Sequence, residues 1–187
     1  AAAALVAAIR AKGGEVVIGD AENKGAVVWA TGLAGLQDLT ADLGRFVGGG
    51  VKGQSMALRA SFEGPQIFVD GLHIVPHVDG TVGIGATSEN TWEDATATDE
   101  RLEALHQRAL AALPVLQGAE VITRWAAVRP RPKSLAPLLG GWPGREGHFV
   151  ANGGFKIGFG MAPKVAEVMA DLVLDRRDAI PDSFRLR

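Results

Sequence analysis

The pattern of apolar residues changes along this chain, and that change constrains the fold more than any single motif does. Near the N-terminus, GAVVWATG (residues 25–32) is continuously apolar and ends in small residues, as strands buried within an α/β sheet do. Between residues 52 and 89, short apolar runs alternate with Gly, Pro and Asp-Gly turns, which indicates antiparallel strands joined by hairpins. The strand HFVANGG (148–154) then runs into glycines and a helix. The sequence therefore predicts an α/β fold that is interrupted by a mostly antiparallel β-sheet.

Periodicity and turn residues place the individual elements. Helices are predicted at residues 4–12, from Asp99 to Leu113 with Thr98 as the N-cap, and from about Ala162 to Leu174. The cation-rich run RWAAVRPRPKSLAP (124–137) is expected to leave its strand at Arg129-Pro130 and to continue as a proline-rich loop. Strands are predicted at 15–20, 25–32, 52–60, 65–70, 72–80, 81–89, 120–128 and 148–154.

The composition argues against several classes of function. The formal net charge of -2 offers no basic field for nucleic acid, and no apolar run approaches the roughly 20 residues that span a bilayer. Without cysteine there is no thiolate metal site and no cysteine-linked cofactor, and the histidines show no ligand spacing. We therefore expect no metal, no membrane span and no nucleic-acid partner. No signal peptide is visible, which favours a cytoplasmic location.

The first residues do not look like the start of a protein. The sequence begins without Met, and AAAALVAAIR reads as if it already lay inside a helix. We expect that further residues precede it; a processed N-terminus is the alternative explanation.

A cluster of glycines lies between the strand at 148–154 and the last helix. Gly153, Gly154, Gly158 and Gly160 exclude bulky side chains there, and Pro163 suits the start of a helix. The N–H groups and the positive end of that helix would stabilise an anion, and a flat ligand could lie close to the backbone. A tight strand–helix turn with ordinary capping would need the same glycines. The residues alone leave both interpretations open.

Arg129 and His73 are the polar side chains with the most informative context. Pro130 holds Arg129 extended at a strand end, where a guanidinium can clamp a carboxylate. A solvated surface arginine is the alternative, and it is the commoner case for an arbitrary arginine. His73 alternates with Leu72 and Ile74 and so points to the opposite face of its strand, but a lone strand histidine is more often structural than catalytic. No nucleophile elbow occurs, and no catalytic residue is assigned.

Five stretches together resemble one family, the FAD-dependent amine and D-amino-acid oxidases, and in particular its glycine oxidase and sarcosine oxidase branch. The stretches are VVWATG, VKGQSMAL, HIVPHVDGTVGIGATSE, RWAAVRP and GGFKIGFGMAPKVAEVMADL. They follow the order of the family's motifs and cover most of residues 15–175. Each motif is weak alone, and their order and spacing make the resemblance specific.

The resemblance implies a divided flavin domain. Residues 1–45 and 129–187 would belong to an FAD-binding Rossmann-like domain, and residues 46–128 would form a substrate domain with a mostly antiparallel sheet. The G-x-G-x-x-G fingerprint that opens such flavin domains is missing from the sequence, so the Rossmann-like part is incomplete and these residues alone are expected to bind FAD weakly or not at all. The absence of cysteine implies that FAD is bound non-covalently.

The resemblance also implies roles for individual residues. Arg129 matches the arginine that binds the substrate carboxylate, His73 stands where the family has an active-site Tyr, and Lys156 matches a basic position beside flavin and substrate. The Asp that follows the family's R-P motif is not found in RPRPKSLAP. The positions implied to contact the cofactor are Ala30, Thr31, Gly32, Pro130, Gly153, Gly154, Phe155, Lys156, Ile157 and Gly158.

The implied reaction is oxidation of the C–N bond of a small amino acid or secondary amine. Hydride transfer to flavin would give an imine, and oxygen or another acceptor would then take the electrons. Two alternatives remain: a non-catalytic or partner-dependent flavin-fold binding protein, and a flavin enzyme that acts on a hydroxy acid or polyol. The resemblance also allows a homo-oligomer.

Overall fold

The computed structural model describes residues 2–186, which form two β-sheets with helices packed against them. The helices are α1 (Ala2–Ala11), α2 (Gly32–Leu43), α3 (Glu100–Ala112) and α4 (Gly158–Asp175), with short 3-10 turns at Pro114–Leu116 and Asp182–Phe184. The strands are β1 (Val27–Trp29), β2 (Gly48–Arg59), β3 (Ile67–Val69), β4 (Leu72–Pro76), β5 (Thr81–Gly85), β6 (Glu120–Pro132), β7 (Leu138–Gly141) and β8 (His148–Asn152).

The two sheets differ in their pairing. The larger sheet has the strand order β3-β4-β5-β2-β6, and all of its neighbours are antiparallel. The smaller sheet has the order β1-β8-β7, in which β1 runs parallel to β8 and β7 runs antiparallel to it. The predicted fold class, α/β material interrupted by a mostly antiparallel sheet, is confirmed.

Each sheet has a core of its own. Met56, Leu58, Ile74 and Ile84 of the larger sheet pack against the apolar stripe of α3, with no more than 1% of any of these four side chains exposed. That stripe consists of Leu102, Leu105 and Ala109. In the smaller sheet, Val150 packs with Leu36 and Leu39 of α2, while Val168 and Met169 of α4 cover Leu139. The helical spacing of these apolar residues explains why α2, α3 and α4 each have one buried face, whereas α1 has no buried residue.

The long strand β6 continues where a loop was expected, so that prediction is wrong. Residues 129–132 stay in register with β2, and Pro130 lies opposite Gly50. The prolines are tolerated because β6 is the edge strand, where one side of the backbone needs no partner. The strand also runs without a break across residues 128 and 129, where the sequence placed a domain boundary. The division into residues 1–45, 46–128 and 129–187 stays a prediction.

Other differences concern element ends and isolated runs. Residues 15–20 are not a strand, and Ile18 is fully exposed, because no strand among the described residues pairs with this run. The N-cap of α3 is Asp99 rather than Thr98, since the Asp99 carboxylate accepts the Arg101 N–H at 3.0 Å. Helix α4 starts at Gly158, earlier than predicted, and α2 was not predicted. No helix within residues 2–186 is both long and apolar enough to cross a membrane.

Candidate active site

A cavity of about 750 Å³ lies at one end of the larger sheet, and we call it the basic cavity. Its walls come from the β3–β4 hairpin, the segment after β5, α3, β6 and the segment before α4. The three predicted substrate-binding residues, Arg129, His73 and Lys156, all line it. The complete lining is Phe68, Asp70, Gly71, His73, Ala86, Thr87, Ser88, Arg101, Ala104, Leu105, Arg108, Arg129, Phe155 and Lys156.

Arg129 is anchored on one side and free on another. Its Nη2 donates to the carbonyl oxygens of Thr87 at 2.7 Å and Lys52 at 3.3 Å. Its Nε is buried and has no hydrogen-bond partner among residues 2–186. Burial lowers the pKa of Arg129, and the negative charge of Glu89 opposes that shift. The guanidinium is therefore held in one orientation by Nη2, and its Nη1, which makes no hydrogen bond within residues 2–186, is left to bind a carboxylate.

On the face of β2 that packs against α3, polar side chains surround the carboxylate of Glu89. Gln54 is fully buried, and its amide Nε2 donates to Glu89 at 3.0 Å and to Asp99 at 2.8 Å. The Lys52 Nζ lies 3.9 Å from the Glu89 carboxylate, and Thr87 Oγ1 donates to that carboxylate as well. Burial raises the pKa of Glu89, but hydrogen bonds from Thr87, Gln54 and Arg101 outweigh it, so the net pKa is lowered. Glu89 is thus a buried, charged carboxylate.

His73 lies on the same face of the larger sheet as Arg129. It pairs with Gly85, which pairs with Ser55, and Ser55 is on the same face of β2 as Val51, the partner of Arg129. The outward direction that alternation predicted for His73 is confirmed, since the residue is exposed while Leu72 and Ile74 are buried. Its ring lies 4.5 Å from the ring of Phe68, between centroids, and its Nδ1 lies 2.6 Å from Gln66 Nε2.

A second cavity of about 450 Å³, the glycine-lined cleft, lies between the end of the smaller sheet and α4. Among the predicted cofactor residues, Ala30, Gly32, Pro130, Gly153, Gly154 and Gly158 line this cleft. Phe155 and Lys156 line the basic cavity instead, and Thr31 and Ile157 line neither. The Thr31 side chain faces Gly35 of α2. The remaining walls are apolar and come from Val28, Pro137, Leu139, Ala151, Met161, Ala162, Val165, Ala166 and Met169, with the amide of Asn152.

The cleft is shaped for a group that lies flat against backbone. Apart from its chain neighbours and the backbone of its own helix, a Cβ at Gly32 or Gly158 would have no protein atom within 4 Å, so each of these cleft-lining glycines borders open space. The φ of Gly32 is +62°, which glycine adopts without strain. Helix α4 begins at this wall, and its N-cap residue, Ile157, makes no side-chain hydrogen bond to the first turn. The N–H groups of that turn are left for an electron-rich edge of a ligand.

The two cavities adjoin along the chain. Arg129 lines the basic cavity and the next residue, Pro130, lines the cleft. In the same way, Gly154 lines the cleft and Phe155 lines the basic cavity. A molecule in one cavity would therefore lie beside a molecule in the other.

Sequence reasoning missed several residues of this region. Asn152 donates from Nδ2 to the Gly32 carbonyl at 2.8 Å and accepts the Gly153 N–H at 2.7 Å, joining both strand ends at the cleft. Its position between a strand and a Gly-Gly pair was a usable signal. Glu89 and Arg108 had no such signal in the sequence. The Glu89 partners Gln54 and Lys52, and the Arg108 partner Asp70, are distant in sequence. Among residues 2–186, no group of three or more His, Asp and Glu side chains is arranged to hold a metal ion.

Comparison with known proteins shows the family of this chain. Residues 2–172 match the family model described as DAO, FAD dependent oxidoreductase. Glycine oxidase of Pseudomonas putida is 33% identical over 125 residues, covering 66% of this chain and 34% of that protein. Glycine oxidase of Pseudomonas aeruginosa is 33% identical over 132 residues, covering 70% and 36%.

Solved structures show the same relationship. The crystal structure of glycine oxidase from Geobacillus kaustophilus superposes with a TM-score of 0.74 at 31% identity, covering 87% of this chain and 45% of that one. The chain spans about a third of the length of the two Pseudomonas glycine oxidases. The family model covers far more than half of the chain. The chain belongs to the family of FAD-dependent oxidoreductases, whose cofactor is FAD.

Proposed function

We propose that the protein oxidises the C–N bond of a small amino acid or secondary amine with bound FAD, giving an imine that hydrolyses. The observation that carries the proposal is the junction of the two cavities. Arg129 and Phe155 line the basic cavity, and their chain neighbours Pro130 and Gly154 line the cleft. Substrate and flavin would therefore lie side by side. The relatives named as glycine oxidases support an amino acid as substrate and favour neither alternative.

The glycine-lined cleft would hold the flavin ring. Its walls contain Gly32, Gly153, Gly154 and Gly158, and the open space beside Gly32 and Gly158 supports a flat group lying there. The N-terminus of α4 would face the ring edge where negative charge grows on reduction, and Lys156 lies at the adjoining cavity. When bound, FAD supplies the acceptor for the hydride that leaves the substrate and passes the electrons to oxygen or another acceptor.

The basic cavity would orient the substrate. Arg129 would bind the substrate carboxylate through the donors that its two carbonyl contacts leave free. His73 and Phe68, whose tilted rings lie 4.5 Å apart between centroids, would form another part of the wall of the substrate site. No residue is assigned as a general acid or base, because orientation and the cofactor suffice for this reaction.

The direct test is spectroscopic. The protein is expressed from its complete gene, loaded with FAD and mixed anaerobically with glycine, N-methylglycine and other small amino acids. We expect the visible flavin absorbance to bleach and to return when air is admitted or an artificial acceptor is added. A folded, flavin-loaded protein that stays oxidised with every amine would refute the proposal. Peroxide formation on reoxidation would identify oxygen as the acceptor.

A further inference from the structure

The basic cavity holds more positive charge than the protein balances. Four basic side chains line it, namely Arg101, Arg108, Arg129 and Lys156, against the single carboxylate of Asp70. Arg101 is neutralised, because its Nη1 lies 2.9 Å from Glu89 and 3.7 Å from Asp99. Within residues 2–186, none of the other three cations has a carboxylate within 4.0 Å. An anionic occupant would lower the electrostatic energy of this cavity.

Arg108 is the cation to which the proposed reaction gives no role. Arg129 would bind the α-carboxylate and Lys156 would lie beside the flavin, whereas Arg108 belongs to α3. Its Nη2 donates to the backbone carbonyl of Asp70 at 2.8 Å, in the turn between β3 and β4. That carbonyl fixes the direction of the guanidinium but does not neutralise it, and a guanidinium has five N–H donors. Arg108 is therefore oriented, charged and left with donors at the cavity wall.

The size of the cavity also favours a ligand longer than glycine. Its volume of about 750 Å³ lies within the roughly 300–1,000 Å³ of pockets that hold much larger ligands than glycine. A glycine-sized molecule bound at Arg129 would leave most of that space, and Arg108, to water. A longer substrate that reaches Arg108 would use both.

We propose that the preferred substrate carries a second carboxylate, which Arg108 binds while Arg129 binds the α-carboxylate. This inference rests on the proposed function, because it assigns the second anchor of the same site. It narrows the substrate class to amino acids or secondary amines with two carboxylates, such as N-carboxymethyl amino acids. Two guanidinium groups on different elements, α3 and β6, would then fix the molecule at both ends.

A binding experiment tests the second anchor without any oxidation. Succinate and butyrate have the same number of carbons, differ by one carboxylate and contain no C–N bond. Calorimetric titration of the FAD-loaded protein should show succinate binding about tenfold more tightly than butyrate, because one added charge-assisted pair contributes on that order. The preference should shrink as the salt concentration rises.

Variants assign the effect to a residue. Arg108→Ala should abolish most of the preference for succinate, Arg108→Lys should retain part of it, and Arg129→Ala should weaken both ligands. Arg59→Ala is the matched control, because Arg59 is an exposed arginine paired with Glu120 and lies outside the cavity. Equal affinity for succinate and butyrate, or a preference that persists in Arg108→Ala, would overturn the inference.

A kinetic comparison separates this inference from the proposed function. N-carboxymethylglycine and N-methylglycine share the same secondary amine and differ by a carboxylate, so kcat/KM should favour the former by about tenfold, mainly through KM. Oxidation of both amines at equal kcat/KM contradicts the second anchor and leaves the proposed function intact. A persistent preference for succinate with flavin that no amine bleaches contradicts the function and leaves the second anchor standing.

Discussion

The orientation of Arg129 is set by two backbone carbonyls, and backbone hydrogen bonds between β2 and the segment after β5 hold those carbonyls in place. The Lys52 carbonyl accepts from Arg129 and also from the Glu89 N–H at 2.9 Å. The Thr87 N–H in turn donates to the Gln54 carbonyl at 3.1 Å. Thr87 also connects Arg129 to the buried Glu89 side chain, because its carbonyl accepts from Arg129 and its hydroxyl donates to the Glu89 carboxylate.

Replacing Arg129 tests the carboxylate site itself. Arg129→Ala removes the charge and the fork of donors, and hydrogen bonds to charged groups contribute about 1.5–3 kcal/mol each. We expect the KM for the amino acid to rise by at least about tenfold while FAD stays bound, as measured by steady-state kinetics and the flavin spectrum. Arg129→Lys should recover only part of the loss, since an ammonium lacks the planar fork. Unchanged kinetics in Arg129→Ala would remove this residue from the site.

Glu89→Gln tests the support beneath Arg129. The substitution leaves Lys52, which is 4% exposed, without its carboxylate partner, so we expect a loss of about 1–3 kcal/mol in the free energy of unfolding at neutral pH. The KM for the carboxylate substrate should rise modestly with little change in kcat, since Thr87, whose carbonyl accepts from Arg129, loses the carboxylate that its hydroxyl binds. Glu120→Gln is the control, because that carboxylate is in an exposed ion pair.

The pH dependence of stability identifies the charge of Glu89 as the cause. Because the pKa of Glu89 is lowered in the folded state, its charge stabilises the fold above the unfolded value, near 4.5. That contribution is lost as the pH falls through the lowered folded pKa. The difference in unfolding free energy between the native protein and Glu89→Gln should therefore shrink in acid, as urea denaturation would show. A difference that stays constant between neutral and acidic pH would contradict this role.

Local sequence context predicted single residues only where the context itself was local. Pro130 made Arg129 a candidate, although only the family resemblance favoured it as a carboxylate clamp, and the direction of His73 followed from strand alternation. Gln54 and Glu89 meet across 35 residues of sequence, so no local pattern reveals their contact. Arg108 reads as an ordinary exposed helix residue until the β3–β4 turn is folded against it.

At the scale of elements, the turn between β8 and α4 is the most constrained. A Cβ at Gly154 would lie 2.6 Å from the Gly158 Cα, which is backbone and cannot rotate away. A Cβ at Gly153, whose φ is +75°, would overlap Pro132 at the end of β6. The glycine pair thus lets the smaller sheet, β6 and the first turn of α4 approach one another around the cleft. The sequence predicted this turn, but it could not separate tight packing from ligand contact. Tight packing is present at Gly153 and Gly154, and contact with a ligand stays a proposal.

Alanine at two glycines of this segment separates these effects. Gly154→Ala should displace the first turn of α4 and weaken FAD binding at least about tenfold, because a contact of 2.6 Å forces the backbone apart. Gly160→Ala is the matched control: nothing lies within 4 Å of its Cβ, and alanine favours the helix by up to about 1 kcal/mol. Flavin fluorescence titration measures both affinities. Equal FAD affinity in the two variants would show that the turn tolerates displacement.

Prediction of whole elements succeeded where apolar periodicity and pairing agreed. Helix α3 was predicted almost to its ends because its stripe of leucines faces one sheet and Pro114 follows it. Residues 15–20 have the apolar content of a strand. Their composition does not show, however, whether a neighbouring strand is present to pair with them. The prolines of β6 suggested a loop for the same reason, since only the sheet order shows that this strand is an edge.

At the scale of the molecule, β2 and β6 connect the two cores. Their ladder extends from Arg59 and Glu120 beside the α3 core to Gly48 and Pro132, where a Cβ on Gly48 would lie 3.0 Å from Leu36 of the α2 core. The Lys133 N–H also donates to the Val47 carbonyl at 2.8 Å just beyond the ladder. Loss of either core would therefore remove support from the same pair of strands, and we expect one cooperative unfolding transition.

Ligand linkage gives this expectation a sharp test, because the cleft lies against the smaller sheet and the α3 core does not line it. Leu102→Ala in the α3 core and Leu36→Ala in the α2 core should each lower the free energy of unfolding by about 2–5 kcal/mol, both being essentially buried. Leu174→Ala, at a side chain that is 78% exposed, should change little.

FAD at about 100 times its Kd should raise the unfolding free energy of Leu102→Ala by about 2.7 kcal/mol, as in the native protein. Circular dichroism and tryptophan fluorescence should report the same midpoint throughout. If FAD instead split the Leu102→Ala transition in two and stabilised only one part, the larger sheet would fold independently of the flavin site.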